Sequence, residues 1–107
     1  MNVTIPSSEE QPCPRSGHSA VVHKGNMYIF GGKDDSSEKL NDFWSFNIAD
    51  QKWLLIAAGG EAPYERSGHS SAVFDDLIII FGGIWDVTKE LNDLHLYSVS
   101  KNEWMIV

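Results

Sequence analysis

Cysteine is almost missing from this 107-residue chain: Cys13 is the only one. That excludes an intramolecular disulfide framework and a cysteine-rich metal site, and it fits a reducing compartment. Long apolar runs are missing too. Leu77 to Phe81, among the longest, is far too short to cross a bilayer, and the first residues have neither the basic start nor the oily stretch of a secretory signal. The expected location is therefore cytoplasmic, where the acceptor pattern Asn2-Val3-Thr4 carries no weight. Basic side chains are scarce, eight against fifteen acidic, for a net charge of -7. Such a surface repels phosphate backbones and anionic headgroups, so neither nucleic acid nor membrane is an expected partner. What is present is apolar and aromatic: 42% hydrophobic residues, with four Trp, three Tyr and five Phe, enough to bury a core and unlike a disordered chain.

The sequence repeats itself. Shifted by 51 positions, Arg15-Ser16-Gly17-His18-Ser19 falls on Arg66-Ser67-Gly68-His69-Ser70, and Ile29-Phe30-Gly31-Gly32 falls on Ile80-Phe81-Gly82-Gly83. Leu40-Asn41-Asp42 falls on Leu91-Asn92-Asp93 and Trp53 on Trp104, giving 15 identities over 43 ungapped positions. A period of this length signals tandem structural units.

Each unit holds short apolar runs separated by turn residues, which predicts an all-β chain with no room for helices. The expected strands are 18–23, 27–30, 42–48 and 52–56, then 69–74, 77–81, 93–99 and 103–107. The second strand of each unit is apolar throughout, as in sheets buried on both faces. The third alternates, with Trp44, Phe46 and Ile48 on one side and Ser45 and Asn47 on the other. Two four-stranded antiparallel meanders stacked on one another are propeller blades.

The Arg-Ser-Gly-His start, the run closed by Gly-Gly, the Leu-Asn-Asp step and the lone Trp opening the fourth strand resemble the kelch repeat over residues 14–107. The resemblance implies two propeller blades, at 14–57 and 65–107, joined by a linker at 58–64. Residues 1–13 are then a tail, or contribute a strand, at residues 3–5, to a neighbouring blade. Two blades make an incomplete ring, since propellers typically need about four to eight. Further blades come from a longer chain or from other copies in a homo-oligomer. Two bare apolar sheet faces are expected on the isolated pair, well beyond what soluble monomers tolerate.

Several repeated residues read as scaffold. Gly31, Gly32, Gly82 and Gly83 supply torsions and close approach rather than a nucleotide loop, because no Lys-Ser/Thr follows them. His18 and His69 are expected to satisfy backbone groups at the innermost strand, with no interleaved acids at metal-ligand spacing. Arg15 and Arg66 are placed to brace Asp42 and Asp93; the alternative is that these arginines face solvent and recruit an acidic ligand. Trp53 and Trp104 pack between blades.

Binding specificity belongs where the copies differ. The loops after the second and fourth strands share a face, which carries Lys33 and Asp34 in one unit, Ile84 and Trp85 in the other, and Tyr64 in the linker. Trp85 is an interface anchor or folds back over its blade. Residues 14–56 hold five basic and five acidic side chains, whereas 65–107 hold three and seven, which would steer a basic partner patch.

No catalytic set is apparent. The Ser-His neighbours lie in strand, where adjacent residues point to opposite faces, and Cys13 has no activator but Arg15. The expectation is a non-enzymatic protein-binding segment without cofactor or metal. The resemblance implies scaffolding, cytoskeletal or trafficking contacts, or substrate recruitment to ubiquitin ligases or phosphatases. The alternative is a copper oxidase or iron-dependent lyase on such a propeller; Glu38 and Asp42 have the iron spacing, but Phe46 stands where a histidine belongs.

Overall fold

The computed structural model describes residues 10–86 and 89–107. The expected strand at residues 3–5 lies outside them, as do Val87 and Thr88. All regular structure among the described residues is strand. The first sheet joins β1 (Ser19–His23), β2 (Asn26–Lys33), β3 (Lys39–Asn47) and β4 (Lys52–Leu55) in sequential order, each pair antiparallel. The second contains β5 (Gly59–Gly60), β6 (Ser70–Phe74), β7 (Leu77–Phe81), β10 (Leu94–Ser98) and β11 (Glu103–Ile106), ordered β5-β11-β10-β7-β6. A small ribbon pairs β8 (Ile84–Asp86) with β9 (Lys89–Glu90).

Three features depart from the sequence reading. The linker is not mere connection, because Gly59 and Gly60 pair in parallel with Glu103 and Trp104 and add a fifth strand. The backbone of β11 has an open edge there, and only glycine fits beside it: a Cβ on Gly60 would overlap the Trp104 carbonyl. Next, β2 does not stop at the glycine pair. It bulges between Phe30 and Gly32 and runs on to Lys33. Finally, the expected loop at Ile84-Trp85 is a strand, held to the first residues of its unit by the Ser67–Ile84 bridge.

The core lies between the two sheets. Alternation along the strands turns Tyr28, Phe30 and Phe43 toward Ile78, Ile80, Tyr97 and Trp104. Phe43 meets Tyr97 edge-on at 4.7 Å and Trp104 at 5.0 Å, while Phe30 lies 5.7 Å from Trp104. Each such aromatic pair adds about 0.5–1.5 kcal/mol beyond its buried area. Trp104 thus packs between the units. Trp53 instead packs within its own unit, 4.7 Å from Phe46 and perpendicular to Trp44.

The second sheet is open on its outer side. Phe81 occupies the place that Phe30 takes in the first unit, yet it is 49% exposed against 1%. Phe74 and Met105, on the same side of the sheet, are exposed as well. The far side of the first sheet is less bare than expected. Val22 and Leu55 are exposed there, but Ile29, Trp44 and Phe46 are buried, with the Trp53 ring against Trp44 and Phe46.

Candidate functional site

The repeated corners form first. In each unit the arginine reaches across to the aspartate two residues after the repeated leucine, Leu40 or Leu91. Arg15 donates to both Asp42 oxygens at 2.5 and 2.7 Å, and Arg66 to both Asp93 oxygens at 2.6 and 2.9 Å. The same guanidinium groups also donate to the carbonyls of Gly31 and Gly82. Planar two-pronged pairing is what the guanidinium fork favours. This corrects the solvent-facing alternative: the Arg66 side chain is 0% exposed and that of Arg15 nearly so, so neither is available to a partner.

These pairs set the local electrostatics. Hydrogen bonds from Arg66 hold the Asp93 carboxyl down to about 2, with His95 assisting. Burial works to raise Asp42, but bonds from Arg15 and from the Trp44 indole outweigh it, leaving the carboxyl below its usual range. Glu38 and Asp42 therefore make no ligand pair, since Asp42 is engaged by Arg15 and Trp44. Among the described residues no three His, Cys, Asp or Glu side chains gather as a group able to hold a metal ion.

The two repeated histidines differ from one another. His69 is buried and contacts the Ser19 hydroxyl of the other sheet at 2.7 Å, with its ring edge-on to Phe30. It bonds across the junction rather than along its own strand. Burial, reinforced by the Arg66 charge, holds it down to about 4, in the neutral form. His18, its counterpart, is exposed. Glycines line the same seam: Gly32 of the first pair donates to the Arg66 carbonyl, and Gly68 to that of Gly17, both at 2.8 Å. Their torsions repeat, with φ of 66° and 97° at Gly31 and Gly32 and 70° and 98° at Gly82 and Gly83, the region that side chains disfavour.

The non-repeated residues converge elsewhere. Tyr64 stands where the first unit has Cys13, and Trp85 where it has Asp34. The structure brings the two to one cleft of about 410 Å³, lined by Tyr64, Glu65, Trp85 and Leu91. Tyr64 is 72% exposed and Trp85 48%. Ile84 is exposed next to it at the base of the β8–β9 ribbon. A second cleft, of about 380 Å³, opens on the other side of Tyr64, between Glu61, Asp93 and His95. In the first unit, Lys33 is exposed at the end of β2 and its backbone pairs with Ser16. Asp34 is half-buried and closes its own turn by accepting from the amides of Ser36 and Glu38. Sequence reasoning missed Glu65 and Leu91. Leu91 belongs to the repeated Leu-Asn-Asp step, and nothing in that step distinguishes it from Leu40.

Comparison with known proteins matches this geometry. Residues 2–107 fit the KLHDC2/KLHL20/DRC7 Kelch-repeats domain. The chain is 37% identical over 105 residues to the Rho GTPase-activating protein gacHH of Dictyostelium discoideum, covering 95% of this chain and 7% of that protein. It is 42% identical over 73 residues to the Ras guanine nucleotide exchange factor F of the same organism, covering 67% of this chain and 6% of that one. Kelch domain-containing protein 3 of Rattus norvegicus is 31% identical over 97 residues, covering 90% of this chain and 25% of the relative. The chain thus spans a quarter or less of these curated relatives. Two stacked antiparallel meanders carrying the repeated Arg–Asp corners and glycine pairs, together with the match over nearly every residue, make this chain a member of the kelch-repeat family.

Proposed function

We propose that this chain is a protein-binding kelch segment that engages its partner through the loop face of the second unit, as an interaction scaffold or substrate adaptor. Kelch repeats generally mediate protein contacts, and the carrying observation is that two exposed aromatics without an aromatic counterpart in the first unit, Tyr64 and Trp85, line one exposed cleft. A repeated scaffold supplies rigidity, and unrepeated exposed aromatics supply anchors, since Trp and Tyr are enriched among the residues that dominate binding energy. The open side of the second sheet fits a further sheet of the same kind, from additional repeats or from another copy.

The test is affinity capture with the wild-type chain, Trp85→Ala, Tyr64→Ala and the control Leu54→Ser, which alters an exposed residue on β4. A partner retained by the control and lost with both aromatic variants supports the reading. A partner indifferent to both aromatics refutes it, and so does stoichiometric copper or iron in the purified protein.

A further inference from the structure

We propose that the cleft between Tyr64 and Trp85 takes a long basic side chain, arginine or lysine, from the partner segment; this rests on the loop-face reading and names its ligand chemistry. The floor is apolar, made by Tyr64, Trp85 and Leu91. The surroundings are acidic. Glu65 lines the cleft, Glu61 lines the neighbouring one with Tyr64, and Glu90 precedes Leu91 at the end of β9. The second unit holds three basic residues against seven acidic. Arg66 is wholly buried and its charge is matched by Asp93, Lys89 lies on β9 in register with Asp86, and Lys101 lies in the turn between β10 and β11.

Each alternative ligand meets only half of this environment. An aliphatic knob would cover the floor but bring the carboxylates near a surface that offers them nothing. An acidic side chain would be repelled by Glu65. Arginine and lysine match both parts, because their methylene stems lie along apolar surface while the charged head stays at the polar rim. A cation over the face of an indole or phenol ring is further attracted by the ring's electron distribution. The first unit offers no such site, having Cys13 and Asp34 in place of the two aromatics.

The experiment is an NMR titration of the 107-residue chain with N-acetyl-arginine amide, N-acetyl-lysine amide and the uncharged isostere N-acetyl-citrulline amide, following the Trp85 indole N–H and the Leu91 methyls. The two cations are expected to shift these signals saturably and to bind about tenfold more tightly than citrulline. Glu65→Gln should erode that preference severalfold while leaving the fold unchanged, and raised salt should do the same. No saturable shift, equal binding of citrulline, or indifference to Glu65→Gln would each overturn the proposal. The two readings fail separately. A protein partner lost in Trp85→Ala but unaffected by Glu65→Gln leaves the loop face standing and removes the basic ligand. A partner unaffected by Trp85→Ala removes the loop face even where the arginine compound still titrates.

Discussion

Asp93→Asn tests the claim that the unit corners are held by a charge pair whose arginine is buried and whose aspartate is partly exposed. The substitution keeps the shape of the side chain and removes its charge. Arg66, fully buried, then keeps as acceptors the carbonyls of Tyr64 and Gly82 and the amide oxygen of the new side chain, and none of them is charged. Breaking a buried ion pair on one side typically costs about 3–5 kcal/mol, because the surviving charge stays desolvated. For a domain whose whole stability is about 5–15 kcal/mol, that is a third or more. In urea denaturation the midpoint should fall by that free energy divided by an unchanged slope. The double variant Arg66→Met/Asp93→Leu supplies the decisive comparison, since removing both partners leaves no orphaned charge and should recover much of the loss. If Asp93→Asn costs under about 1 kcal/mol, or the double variant is no more stable than the single one, the buried-charge reasoning is wrong.

Acid should weaken the fold in two steps. His69 is held at about 4 against an ordinary 6.5, so the unfolded chain binds the extra proton first and stability falls by about 2–3 kcal/mol as pH drops from 6.5 to 4. Asp93 follows, its contribution vanishing between its unfolded value and about 2; thermal melts across pH in wild type and His69→Gln separate the steps, and an identical pH slope in both would contradict the first. Gly32→Ala should be far more damaging than Gly25→Ala, because a Cβ at Gly32 would stand 2.7 Å from the Ser16 carbonyl while Gly25 faces open space; equal melting temperatures for the two would refute the close-approach argument. The exposed Phe81 and Phe74 should make the 107-residue chain self-associate at high concentration. Sedimentation of wild type against Phe81→Glu checks this, a monomer in both cases being the contrary result.

The main strands were legible because β-branched and aromatic runs alternate with turn residues, and the 51-residue echo placed the second set from the first. Boundaries differ by a few residues where a bulge, as at Phe30 and Gly32, carries pairing past the glycines. The fifth strand was not legible: Gly59-Gly60 has no strand preference of its own, and its pairing depends on the free edge of β11. The inward turn of Arg66 likewise needed coordinates, because a repeated Arg and Asp show the partners without showing which way they face. For the site, Tyr64 and Trp85 stood out as departures from the repeat. Glu65 and Leu91 reach the cleft only through the fold, which carries the Leu-Asn-Asp step beside the linker.

The two glycines lying along β11 also bear on how this chain behaves among its own kind. An outermost strand with unsatisfied amides and carbonyls is the place where proteins zip into fibrils. On the second sheet that route is narrowed by a stretch of backbone without side chains, pressed so near the Trp104 carbonyl that no bulkier residue could replace Gly60. Lengthening or stiffening this seam would therefore show first in shelf life and turbidity, before any change in what the loop face holds.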